Sequence, residues 1–133
     1  MDLAKVTIDR LVNAALEARR HAYAPYSRFP VGAAVLGADG RVFAGCNVEN
    51  SSLGLTVCAE RNAVAAAVAG GTRPVAVAIV ANDHGITPCG ACRQVLAEFT
   101  PSMPVVTAAA GDGTPQATSL DALLPAAFRL HDR

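Results

Sequence analysis

Residues 58–92 read CAERNAVAAAVAGGTRPVAVAIVANDHGITPCGAC. Cys58 to Ala69 is rich in alanine and predicts a helix, which Gly70-Gly71 stops. Val75 to Ala81 is a continuous apolar run, the pattern of a central strand buried on both faces. Pro88 stands just before a second helical stretch, Cys89 to Phe99. Helix, strand, helix is an α/β unit. Its two helix starts carry Cys58-Ala59-Glu60 and Cys89-Gly90-Ala91-Cys92.

Outward from this unit the chain stays regular. Leu3 to Arg20 has an amphipathic pattern, with Val6, Leu11, Ala14-Ala15 and Ala18 expected on one face. Ala24-Pro25-Tyr26-Ser27 predicts a turn. Val31 to Leu36 and Arg41 to Val48 predict a strand pair, joined by the hairpin turn Ala38-Asp39-Gly40. Asn50 to Thr56 is a loop of small and polar residues. Pro104 to Ala109 predicts another strand, Asp112-Gly113-Thr114 a turn, and Leu120 to Leu124 a short closing helix. The succession helix, hairpin, helix, strand, helix, strand implies an α/β sandwich with a mixed sheet.

The chain has 133 residues, which suits a single domain, 1–133. Apolar residues make up 52% and charged residues 17%, enough for a packed core and too apolar for a disordered chain. Formal net charge is zero, from 11 basic and 11 acidic residues, without the basic excess of a polynucleotide binder. No nucleic-acid partner is therefore expected. No apolar run reaches the roughly 18 residues of a membrane helix, so no membrane partner is expected either. The opening Met1-Asp2-Leu3-Ala4-Lys5 lacks the basic-then-apolar order of a signal peptide. Four cysteines without an export signal read as metal or catalytic thiols, and the expected compartment is the cytoplasm.

Three cysteines and Glu60 carry the chemistry. Free N–H groups and the positive end of a helix dipole stabilise thiolates at a helix start. Small residues between Cys89 and Cys92 leave both sulfurs free to turn to one metal. With Cys58 they make three corners of a tetrahedral zinc site, and a fourth corner open to water marks a catalytic zinc. Glu60 sits two residues from a metal ligand, in reach of that water as a proton carrier. Three thiolates outweigh Zn²⁺ by one negative charge, and Arg61 is placed to offset it by pairing with a ligand sulfur. Cys89 and Cys92 alone would equally suit a redox pair or half of a structural zinc site. Cys58-Ala59-Glu60 and Pro88 turn the pattern toward the zinc-deaminase signature in its three-cysteine form. Cys46 is the other thiol, expected to be an inert buried cysteine in an apolar strand. His21, His84 and His131 lack ligand spacing and read as solvent or loop histidines.

With these residues assembled, the chain resembles the small, homotetrameric cytidine deaminases over nearly its whole length. Residues 23–34, YAPYSRFPVGAA, resemble that family's opening motif, and residues 45–50, GCNVEN, its nucleoside-binding strand. Cys58-Ala59-Glu60-Arg61 and residues 88–95, PCGACRQV, resemble its metal motifs, and residues 123–128, LLPAAF, its C-terminal segment.

The resemblance implies a three-layer α/β/α sandwich with a mixed five-stranded sheet. It implies hydrolytic deamination of cytidine and 2′-deoxycytidine to uridine and 2′-deoxyuridine, with release of ammonia, in pyrimidine salvage. One Zn²⁺ per subunit would be held by Cys58, Cys89 and Cys92, with Glu60 as the proton shuttle and Arg61 tempering the site. Phe29 would pack against the pyrimidine, the backbone of Ala59 would face the base, and Asn47 and Glu49 would bind the ribose hydroxyls. Residues two apart on a strand share a face, so an amide and a carboxylate there can grip a diol. The plainer readings are a solvated strand end for Asn47 and Glu49 and core packing for Phe29. In a homotetramer neighbouring subunits would complete each active site, with Phe128 reaching a neighbour's pocket or else packing in the core. Many relatives have an aromatic residue where this chain has Leu53. An aminonucleoside-antibiotic deaminase, a polynucleotide-editing deaminase and a non-catalytic zinc-binding interaction module remain as alternatives. The last needs Cys46 as a fourth ligand.

Overall fold

A computed structural model describes residues 3–82, 86–112 and 114–130. Its elements in chain order are α1 (Lys5–Arg19), β1 (Gly32–Gly37), β2 (Val42–Cys46), a 3₁₀ turn (Leu53–Leu55), α2 (Ala59–Ala69), β3 (Pro74–Ala81), α3 (Gly90–Ala97), β4 (Pro104–Ala109), β5 (Gln116–Ser119) and α4 (Leu120–Leu123). The strands form one mixed sheet in the order β2-β1-β3-β4-β5. β1 is antiparallel to both β2 and β3, β3 and β4 are parallel, and β5 returns antiparallel to β4.

The sheet is sandwiched by helices, and the strands' period of two sorts the core into two layers. Ala33, Val35, Val77, Ile79 and Val105 face one way and pack with Ala63, Ala67, Leu96 and Leu120 of the helices α2, α3 and α4. Ala34, Ala76, Ala78, Val80 and Val106 face the other way and pack with Leu11 and Ala15 of α1. This is the expected α/β/α sandwich with five strands. Small residues allow the layers to approach closely. A Cβ on Gly45 of β2 would stand 2.6 Å from the Ala63 nitrogen and 2.9 Å from the Ala59 oxygen, so α2 lies directly against the β2 backbone.

The topology sets where the site forms. β1 is antiparallel to β2 on one side and to β3 on the other, so β2, β3 and β4 all run the same way. α2 follows β2 and α3 follows β3, and both helices therefore begin at the same end of the sheet. That end, beyond the carboxyl ends of the parallel strands, is where open α/β sheets bind ligands.

Some details differ from the sequence reading. Val6 is exposed rather than on the packed face of α1. The packed stripe is Ile8, Leu11, Val12 and Ala15, the i, i+3, i+4, i+7 spacing to which Val6 does not belong. Residues 53–55 form a 3₁₀ turn inside the expected loop. The residue pattern carried no signal for β5, because Gln116-Ala117-Thr118-Ser119 is a mostly exposed polar edge strand without an apolar alternation. Among the turns, Asp39-Gly40 is present, with Gly40 at φ 90°. Gly113 of the second turn, His84 and His131 lie outside the described residues. His21 is exposed.

Candidate metal centre and catalytic carboxylate

Cys58 is the N-cap residue of α2 and Cys89 that of α3, both in extended backbone. Cys92 lies in the first turn of α3, buried. Parallel β2 and β3 bring the two caps together, so a thiol from one helix meets two from the other. The Sγ atoms are 4.0 Å apart for Cys58 and Cys89 and 3.5 Å for Cys89 and Cys92. All three lie within 4.8 Å of one another. Tetrahedral zinc with Zn–S near 2.3 Å needs sulfurs about 3.8 Å apart, a value that the 3.5 and 4.0 Å separations bracket.

Among the described residues no fourth His, Cys, Asp or Glu joins the trio. Cys46 is excluded by the side of the sheet it faces. It pairs with Gly32, where a Cβ would meet Ala15 of α1. Directly paired residues share a face, so Cys46 points to the α1 layer, away from α2 and the three thiols. It is partly accessible rather than buried as expected, because it ends an edge strand. Gly90 also differs from its sequence reading: a Cβ there would meet nothing within 4 Å, so its smallness is not what lets the sulfurs converge.

The electrostatics suit a thiolate site. The hydrogen bond with Cys92, reinforced by Arg61, lowers the Cys58 thiol to about 5 against the cost of burial. Its proton-holding partner Cys92 moves upward, first through that same bond and then through burial. Arg61 Nη2 donates to Cys58 Sγ at 3.5 Å and to the Thr56 carbonyl at 3.4 Å. Its Nε is buried with no hydrogen-bond partner among the described residues.

Glu60 is 5% exposed, in the first turn of α2. Burial raises its pKa above the ordinary carboxylate value, and the neighbouring Cys58 thiolate adds to the rise. A buried carboxyl beside a cluster of thiols, with no salt bridge among the described residues, is the arrangement found at groups tuned for proton transfer. Ala59, between Cys58 and Glu60, is fully buried as the first helical residue.

Asn47 and Glu49 lie just past β2 and are 9% and 8% exposed, so neither is a solvated strand end. Asn47 Oδ1 accepts from Val31 N and its Nδ2 donates to the Phe29 carbonyl, both at 2.9 Å. Glu49 accepts from the Tyr26 and Ser27 backbone nitrogens at 2.9 and 3.1 Å and from the Ser27 hydroxyl. Those bonds hold the Glu49 carboxyl below its usual range, the Ser27 hydroxyl foremost. The pair thus ties down the loop that carries Phe29, a tether that sequence reasoning missed because its partners, mostly backbone atoms, lie 16 to 23 positions away. Arg28 in that loop adopts φ 57°, a left-handed conformation that such tethering sustains. Phe29 is half-buried and belongs to neither core layer. Phe128 is 53% exposed, which removes the core-packing reading, and Leu53 is 70% exposed.

Comparison with known proteins agrees with this geometry. Residues 5–108 match the family model described as the cytidine and deoxycytidylate deaminase zinc-binding region. A cytidine deaminase of Sporosarcina psychrophila is 49% identical over 129 residues, covering 94% of this chain and 93% of that protein. One of Mycobacterium tuberculosis is 51% identical over 121 residues, covering 89% and 86%. The crystal structure of cytidine deaminase from Burkholderia pseudomallei superposes with a TM-score of 0.84 at 52% identity, covering 90% of this chain and 98% of that one. A fold, a trio of thiols and a buried glutamate derived from the residues coincide with a match across most of the chain, and the protein belongs to the cytidine and deoxycytidylate deaminase family.

Proposed function

We infer that the protein hydrolyses the exocyclic amine of cytidine and 2′-deoxycytidine, giving uridine and 2′-deoxyuridine with release of ammonia. The observation that carries this is the buried Glu60 beside three converging thiols with no fourth protein ligand among the described residues. Zinc held by Cys58, Cys89 and Cys92 supplies Lewis acidity that makes water nucleophilic near neutral pH.

The protein's own groups do the rest. Glu60, ionised, takes one proton from the attacking water as oxygen bonds to C4 of the ring, and passes it to N3. It then carries the second proton to the amine as the C4–N bond breaks and ammonia leaves. Its raised pKa makes the carboxyl a better proton holder between the two transfers than an ordinary carboxylate. Arg61 tempers the surplus negative charge of the thiolates. Phe29 packs on the pyrimidine, the Ala59 backbone faces the base, and Asn47 and Glu49 bind the ribose while fixing the loop that carries Phe29. Asn47 has one N–H and Glu49 one acceptor site beyond the bonds they already make, one for each hydroxyl of a diol.

The chain functions as a single domain, 1–133, in a homotetramer. Exposed Tyr23, Tyr26, Leu53, Leu55, Phe128 and Leu130 support burial of these faces by further copies, with Phe128 reaching a neighbour's pocket. The cytoplasm suits four thiols that form no disulfide, and no helix among the described residues is long and apolar enough to cross a membrane.

The test is turnover by zinc-loaded protein, measured as uridine and ammonia in equal amounts. Glu60→Gln keeps the metal and loses activity by at least about 10²-fold. No uridine from fully zinc-loaded protein, or near-parental activity in Glu60→Gln, would falsify the reading. Sedimentation of the same sample tests the tetramer.

A further inference from the structure

Arg93 follows Cys92 in α3, and its three guanidinium nitrogens each reach a different group. Nε donates to the Pro88 carbonyl at 2.7 Å, Nη1 to the Leu123 carbonyl at 2.7 Å, and Nη2 to Thr87 Oγ1 at 2.9 Å. Its backbone nitrogen also donates to the Cys89 carbonyl at 2.9 Å. One residue therefore holds two consecutive carbonyls, those of Pro88 and of the thiol-bearing Cys89. Pro88 is fully buried, and its carbonyl lies one residue before the N-cap of α3, outside the helical ladder. Among the described residues Arg93 Nε is the donor that satisfies it.

The third arm leads elsewhere. Leu123 ends α4, and residues 124–130 continue along α3. Gln94 Nε2 donates to the Phe128 carbonyl at 2.8 Å, and Arg129 Nη2 donates to the Glu98 carbonyl at 3.1 Å. The C-terminal segment is thus strapped to the helix whose first turn presents Cys89 and Cys92. The Arg93 strap also touches the metal loop.

We propose that Arg93 is a positioning residue that locks the Thr87–Cys89 loop to the end of α4, so that metal retention and docking of the C-terminal segment both depend on this one side chain. A planar fork with donors in three directions does this, and a lysine ammonium does not replace it because its three N–H bonds diverge from a single atom. The inference rests on the thiol trio holding zinc, as proposed above.

The experiment compares zinc-loaded parent, Arg93→Met, Arg93→Lys, Thr87→Val and Gln94→Ala. Zinc release to a chromophoric chelator reports the metal loop. Trimming past Phe128 by carboxypeptidase reports the segment, and it is read in metal-free protein as well. Arg93→Met and Arg93→Lys are expected to release zinc roughly tenfold faster, the scale for losing a group that orients metal ligands, and to lose protection of the segment together. Thr87→Val, which cuts one arm, falls between. Gln94→Ala exposes the segment and leaves zinc release as in the parent. Release within twofold of the parent in Arg93→Lys, or faster release with the segment still protected, overturns the proposal. If Arg93→Met does not fold, Arg93→Lys and Thr87→Val decide it. A parent that binds no zinc would refute the metal reading instead, a distinct outcome.

Discussion

Gly45→Ala places one methyl group between β2 and α2 and tests how closely the site depends on that contact. The new Cβ would stand 2.6 Å from Ala63 N and 2.9 Å from both Ala59 O and Asn62 Cβ. Ordinary contact begins at 3.4 Å, so the helix must retreat by about 0.8 Å. The strand cannot yield freely, because β1 pairs with it at this residue and Asn62 Nδ2 holds the Cys46 carbonyl at 2.8 Å. Overpacking against backbone costs about 1–3 kcal/mol, less a few tenths regained because alanine is less flexible when unfolded. For a chain of this size that is roughly 4–12 °C in Tm.

The retreat moves the first turn of α2, with Cys58 and Glu60, relative to Cys89 and Cys92 on α3. Zinc release is therefore expected to speed up on the order of tenfold. Gly70→Ala is the matched control at the other end of the same helix. Its Cβ would also meet an atom at 2.6 Å, but that atom is Cε2 of the partly buried Phe43 ring, a side chain rather than backbone. Denaturant unfolding and zinc release on both variants decide the matter. Equal stability for Gly45→Ala and the parent, or equal loss in the two variants, refutes the reasoning that backbone contact sets the position of the site.

Other outcomes are expected. The acid limb of kcat/KM should lie above the ordinary carboxylate range, because burial raises the Glu60 pKa and the group must be ionised to accept a proton; a limb near pH 4 would remove Glu60 as the base. A carboxyl whose folded pKa is raised favours folding at low pH and loses that contribution as pH rises through the folded value. Metal-free Glu60→Gln should therefore gain stability over metal-free parent as pH increases, in urea titrations across that range. Cys46→Ala should bind zinc at the parental stoichiometry by elemental analysis, since its side chain faces the α1 layer. Asn47→Ala should lose roughly 1–3 kcal/mol of stability by leaving the Val31 N–H and Phe29 carbonyl unpaired, and should raise the KM for cytidine; unchanged thermal unfolding would show the tether to be idle.

Local composition determined much of this protein. Alanine-rich Cys58–Ala69, the apolar run Val75–Ala81 and the turn at Asp39-Gly40 each specify an element through short-range physics, and the structure has them. The thiols and Glu60 were legible because a metal demands particular atoms at particular spacings. The exposed edge strand β5 escaped the residue pattern because pairing with β4, and not its own alternation, makes it a strand. Tertiary structure alone decided that Cys58 meets Cys89. The insertion of antiparallel β1 between β2 and β3 makes those two strands run alike, and so brings both helix starts to one end of the sheet. Cys46 was left out by the same arrangement, since strand register, a long-range property, turned it to the opposite face. The tethering role of Asn47 and Glu49, beyond the ribose binding expected of them, escaped for a comparable reason. Their partners are atoms of a distant loop, which no window of sequence around them contains.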